Sequence, residues 1–347
     1  MNTTVIIPTY NESENITELK RRLPEGIDVL VVDDSPGNGT AEASKRVGFQ
    51  VLHRNGKKGL SSAVIDGIKA CSTDKIVVMD ADLQHPPELI PRMIEELDTY
   101  DFVVATRVRA EGWSTTRKLV SFVANLLALP LVPKIKDRMG GFFGFRKEVV
   151  NPTTLNAIGY KIGLEIMVKG HYNSVAQIPY NFGLRSKGES KLTSTVMLEY
   201  LRQLIPLYLY KFRMLRFMIV GASGTVVNLV ALYLIEHFVL RGTFESQWGA
   251  VAADRSYLVA FIPAFLLSVV NNYVLNNVYT FRERTAGRVG FPKYLLVASV
   301  TLPLDLAILF ALTEWCGMWY IVSAAIAIIT VFIIRYTTAK NWIWRSK

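Results

Sequence analysis

Long apolar segments dominate the C-terminal part of the chain. From about Phe217 onward charged residues become sparse, and four apolar stretches follow one another with short polar interruptions. A helix needs about 20 mostly apolar residues to cross the hydrocarbon core of a bilayer, and each stretch is that long or nearly so. Four such stretches in succession are not expected in the core of a soluble protein. The sequence therefore predicts four membrane-spanning helices, at Phe217–Leu240, Tyr257–Tyr279, Tyr294–Leu312 and Trp319–Ile334.

The basic residues indicate how these segments are oriented. Residues 1–210 carry 26 basic and 23 acidic residues, whereas residues 211–347 carry 13 basic and 6 acidic residues. Most of the latter basic residues lie before the first segment, in the loop at 282–293 or near the end of the chain, and the turn around Gly317 has none. By the positive-inside rule, both termini and the 282–293 loop are expected on the cytoplasmic side. The excess charge favours anionic lipid headgroups, and no nucleic-acid-binding motif accompanies it.

The apolar half is internally repeated. Residues 216–235 resemble residues 293–312, and residues 271–282 resemble residues 334–345. Two helical hairpins of similar design predict a compact four-helix module. Aromatic side chains end both hairpins and are expected in an interfacial belt at the membrane surface. These aromatic residues are Tyr279, Phe281, Trp342 and Trp344.

One ionisable residue falls inside the apolar half. Asp305 lies in the middle of the third segment, where a charged side chain is unfavourable in lipid. Such a residue either has a function or makes a buried polar contact with a neighbouring helix, and the sequence leaves both readings open.

The N-terminal half alternates apolar runs with polar helical patterns. This alternation predicts an α/β domain with a mostly parallel sheet. Met1–Tyr10 reads as a strand and turn, so no signal peptide is expected. Neither a GxxxxGK[ST] loop nor a GxGxxG turn is present, so bound phosphates would need a metal ion. The predicted strands are Thr3–Ile7, Asp28–Val32, Ile76–Met79 and Phe102–Ala105, and the predicted helices are at about 13–22, 40–47, 60–71 and 87–97.

Acidic and amide side chains follow the third predicted strand. Asp80, Asp82 and Gln84 are two residues apart, so on an extended segment they share one face and converge. Carboxylate and amide oxygens are hard ligands that suit Mg²⁺ or Mn²⁺ and leave positions open for a diphosphate. The alternative is a strand that ends in a solvated acidic turn. We predict a metal site formed by Asp82 and Gln84.

Several motifs together resemble a known enzyme family. PTYNE (8–12), VVDDSPGNGT (31–40), MDADLQHPPE (79–88), the turn at Arg107 and GFFGFRKEVV (141–150) are similar to motifs of glycosyltransferase family 2. The narrower resemblance is to dolichol-phosphate mannose synthases and related polyprenyl-phosphate glycosyltransferases, with a membrane half similar to GtrA-like domains. Asn38, where the family usually has aspartate, and Gly140, where it usually has a small polar residue, depart from the pattern.

The resemblance implies a fold and a domain organisation. The fold is an α/β GT-A (nucleotide-diphospho-sugar transferase) domain followed by an α-helical four-span transmembrane domain. The expected boundaries are a cytoplasmic catalytic domain at 1–192, an interfacial coupling helix at 193–215 and a GtrA-like transmembrane domain at 216–347.

The resemblance also implies roles on the nucleotide side. Tyr10 is expected to line the base and ribose pocket with its ring, and Glu12 to accept hydrogen bonds from the base. A carboxylate suits the paired N–H donors of guanine, although Glu12 could instead be a charge that the N-terminus of a helix favours. Asp80 is expected near the ribose or diphosphate, and Asp82 and Gln84 on the metal. The other expected nucleotide-sugar contacts are Pro8, Val32, Asp34, Ala81 and Arg107.

Two basic segments are candidates for binding phosphates. The glycine-broken stretch at 183–192 could close over the diphosphate through Arg185 and Lys191. The segment at 112–136 begins polar and becomes apolar, as expected at a membrane surface. Within it Arg117 and Ser121 share a helix face and suit an acceptor phosphate. Both segments could alternatively be solvated surface. Asp137 is a candidate orienting carboxylate. Residues 195–215 read as an interfacial helix.

These expectations combine into one reaction. The chain is expected to transfer mannose from GDP-mannose to dolichyl or another polyprenyl phosphate, with metal dependence and inversion, giving dolichyl β-D-mannosyl phosphate. A UDP-glucose-dependent polyprenyl-phosphate glucosyltransferase is the alternative within the same class. A processive polysaccharide synthase would normally carry a QxxRW-type motif, which the sequence lacks. A lipid-carrier transporter with a regulatory soluble domain is the non-enzyme alternative.

Overall fold

The computed structural model divides the chain into two compact units, Met1–Lys211 and Phe212–Lys347. It describes residues 3–54, 59–110, 114–151, 154–183, 194–240, 256–282 and 290–344.

The first unit is built around a seven-stranded sheet. The strand order is β3-β2-β1-β4-β6-β5-β7, and only β6 runs antiparallel to its neighbours. The predicted α/β domain with a mostly parallel sheet is therefore confirmed, although β3, β6 and β7 were not predicted. The strands are β1 (Thr3–Thr9), β2 (Asp28–Asp33), β3 (Gln50–His53), β4 (Lys75–Val78), β5 (Phe102–Ala110), β6 (Phe143–Arg146) and β7 (Val175–Phe182).

Helices follow most of the strands and cover the sheet. The amphipathic pattern of α1 and α4 buries Ile16, Leu19, Met93 and Leu97 against the strands. The helices are α1 (Ser13–Arg22), α2 (Gly39–Arg46), α3 (Leu60–Ala70), α4 (Ile90–Thr99), α5 (Thr115–Ala128), α6 (Ile162–Lys169) and α7 (Ser194–Lys211), with short 3₁₀ turns at Pro87–Leu89 and Lys147–Val149.

Helix α7 belongs to the first unit. The hydroxyl of Tyr200 donates to the Ala124 carbonyl at 2.6 Å, and the hydroxyl of Tyr208 donates to the Leu127 carbonyl at 2.6 Å, so α7 is tied to α5. A new helix begins at Arg213, because Phe212 leaves the helical conformation with φ −111° and ψ 95°. The stretch predicted as one interfacial helix at 195–215 is therefore two helices.

The second unit contains a helix at each of the four predicted apolar segments. They are α8 (Arg213–Leu234), α9 (Ser256–Leu275), α10 (Gly290–Phe310) and α11 (Tyr320–Thr338). Each continues into a short π-helical turn. Two stretches of the described chain, Arg213–Leu240 and Val259–Thr280, are long and apolar enough by length and composition to cross a membrane.

The two predicted repeats end in equivalent aromatic residues, but two of the four residues predicted to form an interfacial belt are buried. Phe281 and Trp344 follow the π turns after α9 and α11, and their rings stack with centroids 4.7 Å apart and planes 10° apart. Both are buried, and the indole nitrogen of Trp344 donates to Asn277 Oδ1 at 3.1 Å. Only Tyr279 and Trp342 are exposed as a belt requires. The repeated hairpin ends therefore pack on each other and form a core.

Asp305 lies within α10, one helical turn after Thr301. The Nε of Arg335 on α11 donates to Thr301 Oγ1 at 2.6 Å, so polar side chains link these two helices. The structure thus places Asp305 next to a polar contact between helices, and its role stays a prediction.

We predict that Gly224→Ala lowers the unfolding temperature of the full chain in detergent. A Cβ at Gly224 of α8 would clash with the side-chain amide of Asn272 on α9, so that side chain would have to move. Overpacking of this kind typically costs about 1–3 kcal/mol. Gly221→Ala, one turn earlier, is the matched control because its Cβ would meet nothing within 4 Å. Equal unfolding temperatures for the two variants would contradict the close packing of α8 on α9.

Candidate active site

A cavity of about 790 Å³ opens at the carboxyl ends of β1, β2 and β4. Parallel strands end at the same edge of a sheet, so residues that follow different strands meet there. Eleven of the predicted site residues line this cavity, which therefore unites segments more than 100 residues apart in the chain. They are Pro8, Tyr10, Glu12, Asp34, Asp80, Ala81, Asp82, Gln84, Arg107, Arg117 and Ser121.

The remaining predicted residues lie elsewhere. Val32 does not line the cavity, because its side chain is fully buried in β2 and packs near Gly67 of α3. Asp137 lies behind the wall and acts through Arg107, as described below. Arg185 and Lys191 fall outside the described residues.

The turn after β1 carries Tyr10 and Glu12 into the cavity. Asn11 adopts φ 58°, a left-handed conformation, and its backbone N–H donates to Ser35 Oγ at 2.8 Å. Glu12 precedes the first residue of α1 and accepts from Asn15 Nδ2 through Oε2 at 2.7 Å. Both readings of Glu12 therefore remain predictions, since it precedes a helix and also lines the cavity.

The acidic segment after β4 is a turn and not the extended strand that we predicted. β4 ends at Val78, and Leu83 has φ 63°, which reverses the chain between Asp82 and Gln84. The Gln84 N–H donates to Asp82 Oδ1 at 3.2 Å. Asp80, Asp82 and Gln84 still converge on the cavity, but the tight turn brings them together.

These side chains fit a divalent cation that a diphosphate helps to hold. Among the described residues, no three His, Cys, Asp or Glu side chains lie close enough to bind a metal alone. The Gln84 Nε2 donates to the Gly183 carbonyl at 3.1 Å, so Oε1 is the amide atom that remains for a cation. Mg²⁺ and Mn²⁺ commonly bind through one or two carboxylates together with substrate phosphates. Asp82 and Gln84 supply oxygens of that kind.

His85, which was not predicted as a site residue, lies beside the acidic turn. Its ring is buried, stacks on Phe142 at 5.2 Å and accepts the Asp80 N–H through Nδ1 at 3.2 Å. Burial lowers the pKa of His85, and the negative charges of Asp80 and Asp82 raise this pKa by less than burial lowers it. The neutral ring therefore fixes the backbone at Asp80. Gly141 leaves room for this arrangement, because a Cβ there would lie 3.1 Å from Asp80 Oδ2.

An arginine that we did not predict holds Asp34 in place. The Arg54 guanidinium donates to both carboxylate oxygens of Asp34 at 2.8 Å, and its third nitrogen donates to Asp66 at 2.8 Å. The Gly59 N–H also donates to Asp34, at 3.0 Å. Bidentate pairs of this kind fix orientation as well as charge. Arg54 therefore positions a carboxylate at the wall of the cavity.

Asp137 orients Arg107. The carboxylate of Asp137 accepts two side-chain hydrogen bonds from Arg107 at 2.7 Å and a third from its backbone N–H at 3.1 Å. Burial alone would raise the pKa of Asp137, but the hydrogen bonds and charge of Arg107 outweigh burial and hold this pKa below its usual value. The prediction of an orienting carboxylate thus has a structural counterpart. Arg107 presents a fixed positive charge to the cavity.

Helix α5 joins a polar end to an apolar wall. Ser114 caps the helix by accepting the Arg117 N–H at 3.3 Å, and Arg117 and Ser121 line the cavity one turn apart. Farther along α5 and on the facing part of α7, apolar side chains continue the wall and are largely exposed. These side chains are Leu119, Val123 and Leu127 of α5 and Met197 and Leu201 of α7.

A further segment that was not predicted, residues 160–163, completes the wall of the cavity. Residues 160–163, immediately before and at the start of α6, face the cavity, and Lys161 donates through Nζ to the Met139 carbonyl at 3.0 Å. No sequence motif marks Lys161, because only the packing of α6 against the 139–141 segment brings it to the site.

Comparison with known proteins decides the family. A model of glycosyl transferase family 2 matches residues 4–153, and a model of the GtrA/DPMS transmembrane domain matches residues 216–344. A dolichol-phosphate mannosyltransferase of Pyrococcus furiosus is 37% identical over 368 aligned positions, which cover the whole of both chains. The chain belongs to the dolichol-phosphate mannosyltransferase family. It is a glycosyltransferase with a GT-A-like α/β domain and a C-terminal membrane domain.

Other relatives share the first unit. A dolichol-phosphate mannosyltransferase of Saccharomyces cerevisiae is 33% identical over 68% of this chain and 97% of its own length. An undecaprenyl-phosphate mannosyltransferase of Micrococcus luteus is 32% identical over 57% of this chain and 90% of its own length. A glucosyl-3-phosphoglycerate synthase structure from Mycobacterium tuberculosis aligns with 60% of this chain and 79% of its own at 20% identity and a TM-score of 0.45, too distant to bear on the site.

Proposed function

We propose that the chain transfers mannose from GDP-mannose to dolichyl or another polyprenyl phosphate, with inversion, and that a divalent metal is required. Relatives named as dolichol- and undecaprenyl-phosphate mannosyltransferases support this reaction class. The observation that carries the proposal is the composition of the cavity. Acidic side chains (Asp80 and Asp82), cationic side chains (Arg107 and Arg117) and apolar side chains of α5 and α7 line it together, which matches a metal-bound nucleotide, a phosphate and a polyprenyl chain.

The acceptor needs positioning more than activation. A phosphomonoester is already anionic near neutral pH, so its oxygen can attack the sugar carbon without a strong base. Arg107 and Arg117, both at the cavity wall, can bind that phosphate through charge-assisted hydrogen bonds. Holding the oxygen in line with the sugar carbon supplies most of the catalysis in such a site. Direct displacement from an α-linked donor then gives a β-linked product.

Asp82 and Gln84 are the residues that would hold Mg²⁺ or Mn²⁺. When bound there, the cation neutralises charge on the leaving diphosphate, a contribution typically worth several kcal/mol. His85 and Gly141 keep Asp80 beside this position, and the tight turn at Leu83 keeps the metal-binding oxygens close together.

The apolar wall of α5 and α7 suits the polyprenyl chain. Each methylene that stays in an apolar environment contributes about 0.8 kcal/mol, so a long polyprenyl chain remains in lipid while its phosphate reacts. The cavity must therefore open at a membrane surface, and exposed side chains such as Leu119, Phe122 and Leu201 are suited to contact lipid there. We propose that the second unit spans the membrane four times, with both termini and the catalytic unit cytoplasmic.

Product analysis with three donors tests the proposal. The full chain in detergent is incubated with a polyprenyl phosphate, Mn²⁺ and either GDP-mannose, UDP-glucose or UDP-N-acetylglucosamine. We expect a lipid product from GDP-mannose, because the Glu12 carboxylate at the base pocket suits the two N–H donors of guanine. A lipid product from UDP-glucose alone would establish the alternative glucosyltransferase. No lipid product from any donor would contradict the proposed function.

A further inference from the structure

Lys161 is held firmly at the edge of the cavity. Its carbonyl accepts the Leu164 N–H of the first turn of α6 at 3.1 Å and the Gln203 side chain of α7 at 3.1 Å. The loop before it is anchored to α3, because the Ser61 hydroxyl donates to the Gly159 carbonyl at 2.6 Å. The Lys161 backbone is therefore fixed from two sides, so its side chain has a defined origin.

The ammonium group of Lys161 has little charge compensation. Its Nζ donates to the Met139 carbonyl at 3.0 Å, and within the part of the chain that the structure describes no carboxylate lies within 4 Å of it. Asp137, one of the two carboxylates whose charge acts on Lys161, is committed to Arg107 by two side-chain hydrogen bonds. An ammonium carries three donors, and a charge in a desolvated position is unfavourable unless a partner compensates it.

Among the described residues, three cationic side chains line this cavity. Arg107 comes from β5, Arg117 from the first turn of α5 and Lys161 from the residue before α6, and all three line it. The acidic turn, where the nucleotide diphosphate is proposed to bind, lines the same cavity. An anion with more than one negative charge, bound among these three side chains, would compensate the Lys161 charge while Arg107 keeps its pair with Asp137.

We propose that Lys161 is a third cationic contact to the acceptor phosphate, beside Arg107 and Arg117. The inference rests on the proposed function and names the part of the acceptor that this residue binds, a phosphomonoester dianion. Lys161 is a binding residue in this reading, and the reaction itself needs no proton from it.

The proposed contact predicts that the KM for the acceptor depends on pH. Loss of hydration, and after it the charge of Arg107, lowers the pKa of Lys161 to about 8, while the charges of Asp80 and Asp137 act in the opposite direction. Below that pH the ammonium is charged, and above it the charge is lost. The guanidinium groups of Arg107 and Arg117 and the facing carboxylates keep their charges between pH 7 and 9. The KM for polyprenyl phosphate should therefore rise about tenfold from pH 7 to pH 9.

The test compares Lys161→Met and Lys161→Arg with the wild type in the full chain. Acceptor KM is measured with a polyprenyl phosphate in detergent micelles at pH 7 and pH 9, and GDP-mannose affinity is measured by calorimetry. Lys161→Met should raise the acceptor KM at pH 7 by about tenfold or more and leave GDP-mannose affinity unchanged. Lys161→Arg should keep a low KM and remove its rise toward pH 9, because guanidinium stays charged. Lys45→Met is the control, because Lys45 is an exposed residue of α2, and this variant should match the wild type.

Several outcomes would overturn the inference. An unchanged acceptor KM in Lys161→Met, or a fall in GDP-mannose affinity instead, would place Lys161 outside the acceptor site. If Lys161→Met does not fold, a KM of Lys161→Arg that still rises between pH 7 and pH 9 would also overturn the inference. Wild-type protein that forms mannosyl lipid in these assays shows that the proposed function holds even where the inference about Lys161 fails. Wild-type protein that forms none contradicts both.

Discussion

Asp82→Ala should reduce sugar transfer roughly 10³-fold or more while the protein stays folded. Asp82 supplies a carboxylate at the turn after β4, beside the one amide oxygen that Gln84 leaves for a cation. Without this carboxylate the proposed metal site loses its only charged ligand. A metal contribution of several kcal/mol to leaving-group stabilisation corresponds to a rate change of this size.

The measurement combines transfer rates with Mn²⁺-dependent GDP affinity and thermal unfolding. Asp82→Ala should lose the part of GDP affinity that depends on Mn²⁺ and keep an unfolding temperature close to that of the wild type. Asp98→Ala is the matched control, because Asp98 is an exposed carboxylate of α4 whose pair with Lys75 contributes little. Near-normal turnover by Asp82→Ala, or full wild-type activity in excess EDTA, would show that the metal assignment is wrong.

Arg117→Ala should raise the KM for polyprenyl phosphate about 10- to 100-fold. The Ser114 cap fixes the first turn of α5 and so places the Arg117 guanidinium at the cavity, next to Ser121 and at the beginning of the apolar wall. Loss of a charge-assisted hydrogen bond to a phosphate costs roughly 1.5–3 kcal/mol. GDP-mannose affinity should change little, because the acidic turn and the base pocket are intact.

Lys118→Ala provides the control for this variant. Lys118 is the next residue on α5, carries the same charge and is exposed outside the cavity. Initial rates at varied acceptor concentration, together with calorimetry of GDP-mannose binding, separate the two sites. If Arg117→Ala lost nucleotide affinity and kept its acceptor KM, Arg117 would belong to the donor pocket and the proposed acceptor site would be wrong.

Strong apolar runs explain which strands could be predicted from the sequence. Four strands of the sheet carry such runs, whereas β3 and β6 have four residues each and no clear alternation. β7 contains Pro179, which argues against a strand in the middle of a sheet. The structure resolves this conflict because β7 lies at the sheet edge, where a missing N–H is tolerated.

The candidate site was predictable where motif and strand end coincide. The residues that follow β4 were identified from the acidic pattern at a strand end, and those that follow β1 and β2 were identified from motifs that resemble the family. The geometry of the acidic turn was not, because a left-handed leucine at position 83 is not visible in the residue pattern. Arg54 and Lys161 were missed because their hydrogen-bond partners are distant in the chain, and His85 was missed because its ring packs on the distant Phe142.

The aromatic residues at the hairpin ends show the same limit in the second unit. Their position in the sequence is equally compatible with an interfacial belt and with a core between repeats. The structure distinguishes the two, since Phe281 and Trp344 stack while Tyr279 and Trp342 stay exposed.

The anomeric configuration of the lipid product tests the central claim most directly. The full chain is supplied with α-linked GDP-mannose, Mn²⁺ and a polyprenyl phosphate, and the purified lipid is examined by NMR at the sugar–phosphate linkage. The account predicts a single mannosyl phosphate lipid with a β linkage, because the phosphate oxygen held by Arg107 and Arg117 displaces the diphosphate directly. An α-linked lipid, or release of free mannose with no lipid product, would contradict it.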